Sequence, residues 1–240
     1  MEIENTVALV TGASRGIGAA LVQALLEHGA SKVYAAARHE ADLARLRAAR
    51  DRRIVPVDLD VTNADRVGRA ADQARDVKVL FNNAGVLDFG SVLDASPAAF
   101  NRNFDVNFFG LLNVTRAFAP TLTENHGAVV NILTLVALAS MPGLGVYNAS
   151  KAAAWSLTQS LRADFAKRHV KVFSVFPGAV DTDMLKGVDM PKTPPTDVAS
   201  EVLSGVEADQ EDIFPDPMSR QLYAHWVSDH KAIERQFAAM

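Results

Sequence analysis

Six short runs rich in apolar, strand-favouring residues recur along the chain, at about 6–10, 32–36, 54–57, 77–81, 128–133 and 171–176, and helical patterns lie between them. Strict alternation of this kind implies crossover units, so the expected fold is α/β, a doubly wound parallel sheet with helices on both faces. No internal repeat, low-complexity tract or linker interrupts the pattern, and the expectation is a single domain over residues 1–240. Such sheets take ligands at the carboxyl ends of their strands.

The first run leads straight into a glycine-rich turn. Thr6-Val-Ala-Leu-Val10 reads as a buried strand and is followed by Thr11-Gly-Ala-Ser-Arg-Gly-Ile-Gly18. Gly12 can turn sharply, Gly16 lets backbone approach a pyrophosphate, and Gly18 lets the next helix, about Ile17 to His28, pack on the strand with its N-terminus aimed at phosphates. A lone glycine triplet would leave an ordinary strand-to-helix turn as a competing reading; strand, glycine turn and helix in this order favour a dinucleotide site.

Thirteen residues after Thr134 comes Tyr147, and four later Lys151. If the uncharged, alanine-rich stretch after Gly145 is helical, Tyr147 and Lys151 share one face, roughly 5–6 Å apart at Cβ. An ammonium at that distance favours the phenolate, so the tyrosine, which normally titrates near 10, is expected to move down and to serve as a general acid and base. A Tyr-x-x-x-Lys match alone is weak, since amphipathic surface pairs are common.

Further motifs sharpen the reading: Asp60-Val-Thr-Asn63, Asn82-Asn-Ala-Gly85, Asn107 within Asp105-Val-Asn-Phe-Phe-Gly110, and Pro177-Gly-Ala-Val-Asp-Thr182. With the glycine turn and the Thr134/Tyr147/Lys151 set, they span nearly the whole chain, which resembles the short-chain dehydrogenase/reductase family of the single-domain type. The resemblance implies a Rossmann fold and hydride transfer between a nicotinamide and a substrate carbon, with Tyr147 handling the proton. It also implies that Gly12, Ser14, Arg15, Gly16, Ile17 and Gly18 hold the cofactor, that Asp60 and Val61 flank the adenine, and that Asn83, Ala84 and Gly85 line the adenosine ribose side. Pro177, Gly178, Val180 and Thr182 would hold the nicotinamide end. Lys151 would bond the nicotinamide ribose, and Asn107 would sit on a helix carrying a water that links Lys151 toward solvent. The chain departs from the pattern at Thr134, usually serine, and at Leu133, where a neighbouring serine is often seen. Threonine keeps the hydroxyl, but its methyl restricts χ1 and narrows the site.

Charge argues for the cofactor. The strand Lys32-Val-Tyr-Ala-Ala-Ala37 offers no acid at its end for a free ribose 2′-hydroxyl, and Arg38 follows at once, while Arg15 sits in the glycine turn. Two guanidiniums suit a 2′-phosphate, so NADP(H) is expected. Around the substrate oxygen the chain would place Leu135, Val136, Ala137, Leu144, Met184 and Leu185, which suits an apolar ketone, aldehyde or secondary alcohol. Residues 186–197, with Gly187, Pro191, Pro194 and Pro195, read either as a lid over the substrate or as a plain surface loop. The tail from Gln210, including Asp212–Pro217 and Trp226, would close the pocket, form a subunit contact or simply pack. Phe100, Phe104 and Phe108, spaced by four, read as packing.

A net charge of −4 and a pI near 5.9 argue against general nucleic-acid or anionic-membrane surfaces. With no cysteine, disulfides, thiolate nucleophiles and zinc-thiolate sites are excluded, no metal site is expected, and a reducing compartment, the cytoplasm, is the expected location. The uncharged stretch Ala128–Ser150 is long enough for a membrane span, but Asn131, Pro142, Gly143 and Gly145 make it strand, loop and helix instead. The partner expectations are a small carbonyl or alcohol substrate and a homodimer or homotetramer built on helices near 100–120 and 150–168. A non-catalytic NADP(H)-binding regulator or scaffold is the alternative, although such chains should lose the tyrosine or the lysine. An epimerase or dehydratase is a third, disfavoured by length.

Overall fold

The computed structural model describes residues 1–239, and Met240 lies outside the described residues. One parallel sheet carries seven strands: β1 (Val7–Thr11), β2 (Lys32–Ala37), β3 (Ile54–Asp58), β4 (Val79–Asn82), β5 (Ala128–Ile132), β6 (Lys171–Val175) and β7 (Asp212–Ile213), in the order β3-β2-β1-β4-β5-β6-β7. The helices are α1 (Gly16–Glu27), α2 (Glu40–Arg47), α3 (Ala64–Gln73), α4 (Pro97–Phe104), α5 (Leu111–Glu124), α6 (Gly145–Ala166), α7 (Pro195–Glu207), α8 (Pro217–Ser228) and α9 (His230–Ala238). This is the doubly wound Rossmann arrangement expected from the alternation, and six strands fall within two residues of their predicted places.

Strand side chains alternate between two cores, as a sheet buried on both faces requires. Ala8, Val10, Val33, Ala35, Phe81, Val130, Phe173 and Val175 pack with α1 and α7 on one face. Leu9, Tyr34, Ala36, Leu80, Val129 and Val172 pack with α3, α5 and the end of α6 on the other. The chain steps one way across the sheet from β1 to β2 and the other way from β6 to β7, yet α1 and α7 lie on the same face and touch. The two crossovers are therefore of opposite hand. With the usual right hand at β1–α1–β2, the β6–α7–β7 connection is left-handed, against a rule that holds in about 98% of cases.

Several boundaries differ from expectation. Helix α1 begins at Gly16 and ends at Glu27, so the last glycines of the turn are its first residues. The non-helical part of the 186–197 segment stops at Pro194, because Pro195 starts α7, where its missing N–H is harmless. Its far end is stapled down: the Asp181 N–H donates to Thr193 O at 2.9 Å and the Thr193 N–H to Ala179 O at 2.9 Å. The stretch Ala128–Ser150 resolves into β5, a short 3-10 turn and the start of α6, and no helix among the described residues is long and apolar enough to cross a membrane.

The sheet order reverses between β1 and β4, which opens a crevice at their carboxyl ends. Thr11 ties its two walls together, its Oγ1 accepting from the Asn83 N–H at 2.9 Å and the Ala84 N–H at 3.0 Å.

Candidate active site

The turn after β1 has the shape of an anion cradle. Gly12 and Gly16 sit at φ +65° and +54°, in the left-handed region that side chains disfavour. A Cβ on Gly18 would lie 2.2 Å from Gly12 O and 2.5 Å from Asn83 Nδ2, so the turn, the helix and the β4 loop approach too closely for any other residue. Helix α1 has no side-chain cap and no acid in its first turn, which leaves its first N–H groups and dipole to an anion. Ser14 and Ile17 are half-buried in the same turn. A Cβ on Gly16 would meet Thr182 Cγ2 at 3.2 Å, so the turn faces the segment that begins at Pro177. Thr182 Oγ1 reaches Val180 O at 3.5 Å, and Val180 is buried. These residues fit a dinucleotide.

At the far side of the crevice Arg38 follows Ala37, its Nε donating to His39 Nε2 at 2.9 Å. The acid nearest the end of β2 is Asp58, paired across the strands with Ala37, and Arg66 engages it. Arg66 also donates to the Arg38 carbonyl at 2.7 Å and lies 4.0 Å from Asp60. Burial works against ionising Asp60, but the Thr62 N–H and hydroxyl, with Arg66 and Arg38, hold its carboxyl below the usual range. Val61 is buried against Gly110, where a Cβ would clash with it. Arg15 is exposed and meets Asp183 at 3.4 Å across solvent, a pair contributing about 0–1 kcal/mol and free to exchange partners. Nothing in the sequence alone pointed to Arg66.

The candidate catalytic group assembles on α6 and just beyond the end of β5. Tyr147 and Lys151 lie on one face of α6, with Lys151 Nζ 6.0 Å from the tyrosine ring centre. Both are buried, at 7% and 5% exposure. Burial pushes the Tyr147 phenol up to about 12, with the Thr134 hydroxyl beside it acting in the opposite direction. Burial pushes the Lys151 ammonium down to about 8. The expected lowering of the phenol by Lys151 is thus overturned in this arrangement. The ammonium donates to Ile132 O at 2.8 Å, and desolvation dominates both groups.

Thr134 stands two residues past the end of β5 and caps the 3-10 turn Leu135–Ala137. Its Oγ1 accepts from the Val136 N–H at 3.4 Å and donates to Pro177 O at 3.5 Å. Asn107 stands in a π-helical turn, Asp105–Gly110, between α4 and α5. From there it bonds the loop after β4 and helix α6: Nδ2 donates to Val86 O and to Ser150 Oγ, both at 2.9 Å, and Oδ1 accepts from the Val86 N–H at 2.9 Å. Gly85 lies between them, where a Cβ would come within 3.3 Å of Asn107 Oδ1 and 3.7 Å of Lys151 Nζ. Asn107 therefore reaches α6 through Ser150, next to Lys151.

Leu135 and Val136 are buried in a cluster with Tyr147, Leu222, Ile233 and Phe237, so α8 and α9 back the tyrosine. The tail from Gln210 thus packs behind Tyr147, one of the roles expected for it, although Leu222, Ile233 and Phe237 were not singled out; the four-residue spacing of Ile233 and Phe237 marks an amphipathic helix, but nothing local says what it covers. Leu144 is half-buried before α6, Leu185 is half-buried, and Met184 is 41% exposed on the turn Asp183–Leu185. A separate concavity of about 660 Å³ lies along α7, β7 and α8, lined by Glu201, Ser204, Gln210, Phe214 and Tyr223, and contains none of the predicted site residues. Among the described residues no cluster of three or more His, Asp or Glu side chains could hold a metal.

A family model described as short chain dehydrogenase matches residues 6–192. An uncharacterized oxidoreductase of Methylorubrum extorquens is 35% identical over 189 residues, covering 76% of each chain. One of Staphylococcus saprophyticus is 31% identical over 219 residues, covering 86% of this chain and 93% of the relative. Among solved structures, a short chain dehydrogenase from Burkholderia cenocepacia in complex with NADP superposes with a TM-score of 0.93 at 40% identity over 99% of both chains. A short chain dehydrogenase/reductase from Burkholderia phymatum in complex with NAD gives 0.86 at 29% identity, over 98% of this chain and 96% of that one.

Proposed function

The chain belongs to the short-chain dehydrogenase/reductase family and is an NAD(P)-dependent oxidoreductase, and from that premise we propose that it is an NADPH-dependent carbonyl reductase, able to run in reverse as an alcohol dehydrogenase on mainly apolar substrates. The observation that carries the reading is the buried phenol of Tyr147 on α6 beside the Thr134 hydroxyl, walled by Leu135 and Val136. A bound nicotinamide would supply the hydride to the carbonyl carbon or take it from the alcohol.

The chain's own residues do the rest. With its phenol pushed up to about 12, Tyr147 is protonated at neutral pH and poised to give its proton to the substrate oxygen, which suits reduction. Thr134 hydrogen-bonds that oxygen. Lys151 is largely charged below its value of about 8, and its ammonium stabilises the phenolate left behind while holding the ribose hydroxyls of the cofactor. Asn107 and Ser150 fix the neighbouring polar path on α6. The apolar walls exclude water from the reacting oxygen.

Arg15 and Arg38, with Ala37 where an acid would select a free 2′-hydroxyl, support NADP(H), and Asp58 is already engaged by Arg66. Half-buried Phe100, Phe104 and Phe108, with Phe109 at 49% exposure, form an aromatic stripe along α4 and the π turn. It supports a homodimer or homotetramer more than the pure packing read from their spacing. A cysteine-free chain suits a reducing compartment, so the cytoplasm is its expected location.

Following NADPH and NADH absorbance separately against aromatic and aliphatic ketones and aldehydes tests the proposal. NADPH oxidation should fall by on the order of 10²–10⁴-fold in Tyr147→Phe. Preference for NADH would overturn the cofactor reading. Silence with both, despite tight cofactor binding, would move the chain to the non-catalytic regulator or scaffold.

A further inference from the structure

The turn into α8 holds a carboxylate that the reaction does not use. Asp216 is completely buried, and both its oxygens are taken by backbone N–H groups rather than by a cation. One oxygen, Oδ1, accepts from the Ser219 N–H at 2.8 Å and caps α8, while the Asp216 N–H donates to Ser219 Oγ at 3.2 Å in return. The other, Oδ2, accepts from the N–H of Gly178 at 2.7 Å, from a residue 38 positions earlier. The carbonyl on the opposite edge of that same peptide, Pro177 O, accepts from the Leu135 N–H at 3.0 Å and from the Thr134 hydroxyl at 3.5 Å.

The Pro177–Gly178 peptide is thus gripped on both edges, by Asp216 from the C-terminal helices and by the Thr134 loop from β5. Gly178 is what permits the grip: a Cβ there would lie 2.7 Å from Asp216 Oδ1 and 3.0 Å from Leu135 Cδ2. Capping α8 needs only one oxygen, and asparagine caps about as well without burying a charge. Asparagine cannot, however, accept from two backbone N–H groups with two separate oxygens. The feature that requires aspartate at this position is therefore the remote contact to Gly178.

We propose that Asp216 is a positioning residue: through Gly178 it sets the orientation of the Pro177 carbonyl that receives Thr134, and it fixes the start of the Pro177–Thr182 segment at the nicotinamide end of the cofactor site. Asp216 touches neither substrate nor cofactor. The inference rests on the functional reading only for what the Pro177–Thr182 segment binds.

The test compares Asp216→Asn with Ser219→Ala, which loosens the same helix cap and leaves the Gly178 contact intact. Three quantities are measured on the full chain: amide hydrogen exchange across 178–182 without ligand, affinity for NADPH and for the same molecule lacking its nicotinamide (2′-phospho-ADP-ribose), and kcat separately from KM. In Asp216→Asn, exchange across 178–182 should rise while α8 stays protected. NADPH should bind roughly tenfold or more weakly while the fragment is unaffected, and kcat should fall. Ser219→Ala should lose thermal stability but keep NADPH affinity and kcat. Wild-type exchange and affinity in Asp216→Asn, or equal losses in both variants, would overturn the proposal. If the wild-type chain binds NADPH no better than the fragment, the assignment of the nicotinamide end fails instead, and the exchange data still report on the grip. Asp216→Ser, a cap with a single oxygen, gives the same readouts if the asparagine variant does not fold.

Discussion

Replacing Lys151 by Met should stabilise the ligand-free chain near neutral pH, by an amount that shrinks as the pH rises. Burial moves the ammonium from 10.5 to about 8, and at about 1.4 kcal/mol per pH unit its charge costs the folded state about 3 kcal/mol. The sign follows from linkage. Between about 8 and 10.5 the unfolded chain binds the proton and the folded chain does not, so this group raises stability with pH across that window. Below it the full penalty is present, and above it none remains. The Met variant lacks the slope. Loss of the bond to Ile132 O adds an offset that does not vary with pH, so the informative quantity is the change in the stability difference with pH. From about pH 7 to about pH 9.5 the advantage of Met should fall by about 2 kcal/mol, on the order of 4–8 °C in Tm for a chain of this size. Urea unfolding of both proteins across that range measures it. Parallel curves would show that the Lys151 charge is solvated and refute the reasoning.

Thr134→Ser should preserve or raise turnover, because the hydroxyl stays and the methyl that narrows the site goes, whereas Thr134→Val should abolish most of it; a fully active Val variant would remove the hydroxyl from the mechanism. As pH rises through about 8, kcat/KM for carbonyl reduction should decline as Lys151 loses its proton, well before Tyr147 ionises near 12, and a flat profile across that range would remove the Lys151 charge from the reaction. Gly18→Ala should fail to give soluble, cofactor-binding protein, since its Cβ would sit 2.2 Å from Gly12 O; retention of wild-type binding and Tm would show that the turn relaxes.

The doubly wound arrangement, six strands and the Tyr147/Lys151 pairing were all legible from periodicity and spacing, because each is a local consequence of strand–helix alternation or of one helical turn. What was not legible depends on contacts between distant segments. Strand β7 has only two residues and no apolar run to announce it. The direction of the Tyr147 shift turned on burial among Leu135, Val136 and the C-terminal helices, and Ile132 O, which takes the Lys151 ammonium, is 19 residues away from it. Arg66 and Asp216 are ordinary charged residues until folding brings Asp58 and Gly178 to them. The lid-or-loop segment was framed too far along the chain, because Pro195 was read as a helix breaker when it is a helix starter.

The left-handed β6–α7–β7 crossover has a consequence for how the protein is made. Helix α1 is complete at residue 27, but the helix lying beside it on that face, α7, ends at residue 207. At about 5–20 residues per second a ribosome needs on the order of 10–40 s to bridge that gap. In the last part of it, once β5 and β6 are made, their face carrying Val130, Phe173 and Val175 waits for the helix that buries it. A ribosome stalled near residue 195 would hold a chain with a complete glycine cradle and the helix carrying Tyr147 and Lys151 but a bare apolar sheet face, a natural client for chaperones that recognise exposed strands.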